Sequence, residues 1–256
     1  MKYGVWGMII LCFGGCSDDI DIYILLGQSN MAGRDKISTQ DTTTDSRLLV
    51  LDTAGAWVTA QPPFNIGKPS YGSGILAMSF GKKMLEQYPN STIGLIPCAV
   101  GGSAISEWQP GAFNSLRDTY PYDEAIEKIK TGLKKGKIKG ILWHLGETDS
   151  QMDRYRLYKP MFDSLLFNLA GDLSLDVKSI PVVIGEIGKF VYLKRPQSEK
   201  INQILNEIAT EKVNVGIVSS EGLTDIGDSL HFTSSSQREL GERYVDQMTR
   251  LKMDIR

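Results

Sequence analysis

Ser29 stands in Gly27-Gln28-Ser29-Asn30, directly after the apolar run Ile22-Tyr23-Ile24-Leu25-Leu26, where a buried strand stops. Gly27 permits a sharp exit from that strand, because glycine alone takes positive φ without steric cost. Gln28 and Asn30 carry side-chain amides able to bond neighbouring backbone and hold the turn rigid. A serine so placed is either a turn residue or a nucleophile. Its hydroxyl attacks a carbonyl only when an imidazole takes the proton and an acid fixes the tautomer of that imidazole. The chain has two histidines, His144 and His231. His231 follows Asp228 by three residues in a turn-rich segment, which lets the carboxylate reach Nδ1 while Nε2 points toward the serine. His144 lies inside an apolar run and reads as a core or rim histidine. Glu147 is an alternative acid for His231. Asp228 is preferred because Asp-x-x-His is local and independent of tertiary placement; the other reading of Glu147 is a clasp on loop backbone or on Arg34.

Gly101-Gly102 can aim backbone N–H groups at a developing oxyanion, together with the N–H of Ser29. The same pair is also an ordinary turn signal. Two histidines and no close cysteine pair exclude a zinc site of the usual kind, so the expected chemistry uses neither metal nor cofactor.

These residues need a scaffold that gathers them. Short, nearly continuous apolar runs at 22–26, 92–97, 138–145, 181–186 and 214–219 read as parallel strands covered on both faces. Helical spacing marks 74–87, 122–135, 153–169, 197–211 and 234–252. Pro160 argues for a kink or boundary in the third of these, and Ser236-Gln237-Arg238-Glu239 has capping-box spacing. Strand alternating with helix implies an α/β fold, a mostly parallel central sheet between two helical layers. In such sheets ligands bind beyond the carboxyl ends of the strands, and Ser29, Gly101-Gly102, Glu147 and the Asp228 segment all follow strand ends. The stretch 33–73, rich in Thr, Asp, Gly and Pro, reads as a long surface excursion.

A chain of 256 residues, 41% hydrophobic and 23% charged, suffices for one well-filled α/β domain. A net charge of -2 offers no footprint for nucleic acid. The one basic run, Lys134-Lys135-Gly136-Lys137-Ile138-Lys139, reads as a solvated connector. At the start, Lys2 precedes an apolar stretch too short to span a bilayer. Gly14-Gly15-Cys16 resembles a lipobox, with Phe13 standing where an aliphatic residue is usual. The expectation is a signal segment over 1–16, lipidation at Cys16 and a single domain over 17–256. That places an exported protein in the periplasm or on the outer membrane of a Gram-negative bacterium, touching membrane only through the anchor. An exported chain processed and lipidated at Cys16 keeps only Cys98 as a possible free thiol and carries no internal disulfide. Oligomeric state is not legible.

Four blocks in order, GQSNMAG at 27–33, PCAVGGSAISEW at 97–108, LWHLGETD at 142–149 and GDSLHFTSSSQRELGERY at 227–244, resemble SGNH-type esterases related to sialate O-acetylesterases and family 6 carbohydrate esterases. The resemblance implies a three-layer α/β/α sandwich that removes O-acetyl groups from sugars such as acetylated xylan and sialic acids, without metal. It implies Ser29 as nucleophile, His231 as base, Asp228 as its partner, and the N–H groups of Ser29 and Gly102 in the oxyanion hole. Gln28, Asn30, Glu147 and Trp108 are candidate supporting residues. Trp108 either lines an acyl or sugar pocket or covers the sheet edge; Ser103 and Ser106 read as loop structure. One departure is Leu145, where relatives commonly carry glutamine. Leucine donates no hydrogen bond, so turnover is expected to suffer unless His144 or Asn30 substitutes. Two other readings stay open: a carbohydrate-binding protein on a weakly active scaffold, and a hydrolase of lipid or thioester acyl groups.

Overall fold

The computed structural model describes residues 19–64 and 72–254. Its centre is β1 (Ile20–Gly27), flanked in parallel by β4 (Ile93–Pro97) on one side and β5 (Gly136–His144) on the other. The sheet continues through β2 (Leu48–Leu51) beyond β4, and through β6 (Val182–Gly185) and β7 (Val215–Val218) beyond β5. With β3 (Trp57–Thr59) antiparallel to β2 at one edge, the order is β3-β2-β4-β1-β5-β6-β7.

Side chains alternate across a strand with period two, and the alternation here splits the strands between two cores. Ile22, Ile24 and Leu26 of β1, Ile141 and Trp143 of β5, and Val182 and Ile184 of β6 belong to one. That core is closed by α3 (Pro121–Gly132), α4 (Tyr158–Asp172) and α5 (Ser198–Glu211), through Ile126, Phe162 and Ile201 among others. Tyr23, Leu25, Leu142 and Val183 point to the opposite face, under α2 (Ile75–Gln87) and α6 (Ser234–Asp254), where Phe80, Leu240 and Tyr244 meet them. The result is the expected three-layer sandwich. Burial on both faces is why the strands read as continuous apolar runs rather than alternating ones.

Four local expectations change. The excursion 33–73 contributes β2 and β3, whose three- and four-residue lengths leave little periodicity to read. The turn between them is an Asp52 turn: Oδ1 accepts the N–H groups of Ala54 and Ala56. The basic run is split, since β5 starts at Gly136 and Lys137 and Lys139 pair with Asp19 and Asp21 alongside β1. A 3-10 turn at Arg154–Leu157 precedes α4, and Pro160 sits in its first turn, where backbone N–H groups have no intrahelical partner to lose. The cap of α6 is Thr233, whose Oγ1 accepts the Ser236 N–H, rather than Ser236 itself. The segment 1–16 and Cys16 lie outside the described residues. No helix among those described is long and apolar enough to cross a membrane.

Candidate active site

β1 ends at Gly27 with φ 138°, and a side chain there would collide with the His144 carbonyl at 2.2 Å. The position is therefore restricted to glycine by close approach as well as by conformation. The chain then makes one short turn, α1 (Ser29–Ala32). Its backbone is anchored by the Gln28 N–H donating to His144 C=O at 3.0 Å and by the Met31 and Ala32 N–H groups donating to Gln28 C=O. The Gln28 side chain does not hold the turn: its Oε1 is buried without a partner among the described residues. Asn30 does, and reaches further than expected. Its amide bonds Glu147 and Leu230, and its carbonyl accepts from Phe232.

The segment 219–233 connects β7 at the sheet edge to α6 and carries Asp228 and His231. It holds one short antiparallel bridge, Asp225 to Phe232, closed by the Ile226 N–H donating to His231 C=O and the Thr233 N–H to Thr224 C=O, and side chains cap the rest of its backbone. Asp225 Oδ2 accepts the N–H groups of Gly227 and Ser229. Asp228 Oδ1 accepts those of Leu230 and His231, each at 2.8 Å. The second Asp228 oxygen faces His231 Nδ1 at 2.6 Å, and His231 Nε2 lies 3.0 Å from Ser29 Oγ. A carboxylate only accepts, so Nδ1 carries the ring hydrogen and Nε2 presents a lone pair to the serine hydroxyl. Burial works to raise the Asp228 carboxyl, but the two backbone donors and the imidazole outweigh it and hold it below the ordinary range. The acid therefore stays ionised at neutral pH, as an orienting partner must.

The Val100 N–H donates to Gly27 C=O at 2.8 Å, which lays the segment leaving β4 against the turn leaving β1. Gly102 follows at φ 83°, and its N–H, like that of Ser29, meets no acceptor among the described residues. These are the two donors expected of an oxyanion hole. Near them lies a cavity of about 860 Å³, walled by Ala32 and Arg34, by 52–55, 97–101 and 116–119, and by α3; Ser29, Gly102 and His231 are not among its lining residues. Its charged residues are Arg34, Arg117 and Lys128 together with Asp52, Asp118, Glu124 and Glu127.

Other candidates fall elsewhere. Trp108 lines no pocket: it is 0% exposed, packs edge-on against Trp143 at 5.5 Å, and donates its indole N–H to Ser103 Oγ. Ser103 in turn donates to Val100 C=O, so it is loop structure, as expected. Leu145 is also fully buried, in the apolar core with Trp143 and Ile187, and its side chain does not open on the site. Neither proposed substitute for a missing donor is available. His144 is buried against Phe232 and Tyr244, and Asn30 is engaged as above. Glu147 is not the acid beside His231 and does not clasp Arg34; its carbonyl accepts from Arg195 at 2.5 Å and its carboxyl from Asn30. Cys98 is the free cysteine among the described residues, and burial pushes its thiol up to about 11, far from nucleophilic. Reasoning from sequence missed Arg195 and Asp225. The second was readable, since Asp225-x-Gly227 is the spacing of an Asx turn; Arg195 carried no local signal.

The family described as carbohydrate esterase, sialic acid-specific acetylesterase matches residues 19–250. A probable carbohydrate esterase of Arabidopsis thaliana is 31% identical over 242 residues, 86% of each chain. A crystal structure of an Arabidopsis thaliana protein is similar at a TM-score of 0.79 and 27% identity, over 91% of this chain and 98% of that one. NanS is similar at 0.71 and 17% identity, over 91% and 97% of the two chains. A carbohydrate acetylesterase of Xanthomonas citri is similar at 0.69 and 17%, over 91% of this chain and 57% of that one. At 17% identity the likeness carries the fold alone.

Proposed function

The chain belongs to the sialic acid-specific acetylesterase family of carbohydrate esterases, and from that premise we propose that it removes O-acetyl groups from sugars through a serine acyl-enzyme. The observation that carries this reading is the aligned set Asp228 Oδ2, His231 Nδ1, His231 Nε2 and Ser29 Oγ, at 2.6 and 3.0 Å. Ser29 Oγ attacks the acetyl carbonyl carbon while His231 Nε2 takes its proton. Negative charge gathers on the carbonyl oxygen, where the Ser29 and Gly102 N–H groups stabilise it. His231 then gives the proton to the departing sugar hydroxyl. Water, activated by the same imidazole, cleaves the acetyl-serine and releases acetate.

A cavity of about 860 Å³ lies near Ser29 through Ala32 and Arg34, and its lining, apolar surface with charged side chains set among it, would take the alcohol half of such an ester. Acetylated xylan and O-acetyl sialic acid are the proposed substrate classes. Purified protein is expected to release acetate from at least one of them and from p-nitrophenyl acetate, with both activities lost in Ser29→Ala. Wild-type rates in that variant would remove Ser29 from the mechanism. In a series of p-nitrophenyl esters, acetyl is expected to be preferred; preference for long chains would favour a lipid hydrolase instead.

A further inference from the structure

Asn30 is fully buried and commits its side chain to three partners. Oδ1 accepts the Phe232 N–H at 3.1 Å, and Nδ2 donates to Leu230 C=O at 3.0 Å. Those two backbone groups lie on either side of His231, so the residue after the nucleophile grips the backbone of the base from both directions. The remaining Nδ2 hydrogen goes to Glu147 Oε1 at 2.5 Å. A flipped amide would set its oxygen against Leu230 C=O and Glu147, and its hydrogens against the Phe232 N–H. Both backbone hydrogen bonds would become repulsions, and Glu147 Oε1 would lose its donor. Glu147 thus helps decide which way Asn30 faces.

We infer that Glu147 is a positioning residue for the base, acting through Asn30 as a neutral hydrogen-bond acceptor that fixes His231 against Ser29. The inference rests on the proposed roles of Ser29 and His231. The neutral form follows from the bonding of His144. Tyr244 donates its hydroxyl hydrogen to Trp143 C=O at 2.8 Å, so at 3.2 Å it takes the hydrogen of His144 Nδ1. His144 Nε2 is then a bare lone pair, 3.9 Å from Glu147 Oε1 in a fully buried space. A carboxylate facing that lone pair is repelled; the acid form is not. Burial acts in the same sense, raising the Glu147 carboxyl against the opposing pull of Asn30, of the Glu147 and Gly146 N–H groups and of Arg195, and pushing the His144 imidazole down to about 4. A neutral Glu147 distinguishes this role from that of a second acid supporting His231 by its charge.

The test compares Glu147→Gln, Glu147→Leu, Asn30→Ala and the double variant Asn30→Ala/Glu147→Leu in the full chain. The readouts are p-nitrophenyl acetate kinetics, the pH–rate profile and the rate of Ser29 labelling by a fluorophosphonate. Glutamine keeps both the acceptor oxygen and the neutrality, so Glu147→Gln is expected to keep wild-type kcat, labelling rate and pH profile. Glu147→Leu and Asn30→Ala are expected to lose about 10- to 100-fold in kcat and labelling with KM unchanged, the scale of a displaced reacting group. Because both act through one side chain, the double variant is expected to be no slower than Asn30→Ala alone. A Glu147→Gln enzyme as slow as Glu147→Leu, or one with a shifted profile, would overturn the inference in favour of a charge role. Wild-type kcat in Glu147→Leu, or additive losses in the double variant, would overturn it too. If Glu147→Leu fails to fold, the pair Glu147→Gln and Asn30→Ala decides: fast and slow supports the inference, and any other pattern sinks it. Activity surviving in Ser29→Ala would instead strike the underlying nucleophile assignment, whatever the Glu147 variants do.

Discussion

Ser29 and His231, the proposed nucleophile and base, are held by opposite means. Ser29 leaves the central strand of the sheet, with parallel neighbours on both sides and apolar layers above and below. Its position is inherited from the hydrogen-bond ladder and from the glycine-restricted contact of Gly27 with His144 C=O. His231 sits in a largely irregular segment hung from β7, an edge strand three places further out. That segment is shaped by a single backbone bridge between Asp225 and Phe232, by Asp225 and Asp228 capping its own backbone, by Lys194 donating to Asp228 C=O, and by the grip of Asn30. A sheet places one group; a local loop, held largely by side chains, places the other. Perturbing the two regions should therefore separate stability from catalysis.

The largest effect is expected from His231→Ala, on the order of 10⁶-fold in kcat, because loss of the base disables the nucleophile with it. The buried core contact of that segment is made by Phe232 rather than by the partly exposed His231, so the melting temperature is expected to stay near wild type; a large drop would break the contrast drawn above. Asp228→Asn comes next, on the order of 10⁴-fold in kcat, since an amide no longer enforces the Nδ1–H tautomer. Retained turnover in that variant would mean that the 2.6 Å contact to His231 is structural only. Leu145→Gln probes the sheet side. An amide set among Trp143 and Ile187 without a partner is expected to cost about 1–3 kcal/mol of stability, read as a lower melting temperature with no gain in deacetylation rate. A faster enzyme would show that the side chain does reach the site.

The smallest effect concerns Asp149, which accepts the Ile105 N–H with both oxygens and is pushed up to about 7 by burial. Its carboxyl is ordinarily near 3.8, so between those values the folded chain holds the extra proton. Its contribution to stability is present below about pH 4 and is lost as pH rises toward about 7. Asp149→Asn is expected to flatten the dependence of melting temperature on pH across that window, and an unchanged slope would contradict the assignment.

What could be read in advance was what is local in the chain. Continuous apolar runs gave five strands, the glycine ending the first gave the place of Ser29, and the three-residue spacing of Asp228 and His231 gave the expected acid–base pair. β2 and β3 escaped because strands of three or four residues in a Thr- and Gly-rich stretch carry no legible period. Trp108 stayed open between pocket and sheet edge for a different reason. An aromatic beside a glycine turn looks the same in sequence whether it faces ligand or core, and only its packing against Trp143 decides. Leu145 is similar: the missing amide mattered only if the side chain faced the site, and burial says it does not.

The sequence by itself therefore determined the alternation of strand and helix, the serine at a strand end and the local bond between Asp228 and His231, since each depends on residues a few positions apart. Tertiary structure alone decided that His231 Nε2 meets Ser29 Oγ across 202 positions, that Asn30 clasps both sides of the base, and that Glu147 lies behind it. The physical reason is distance along the chain. A capping or spacing preference acts within a turn, whereas the register between two strand ends is set by the summed packing of the sheet and both helical layers.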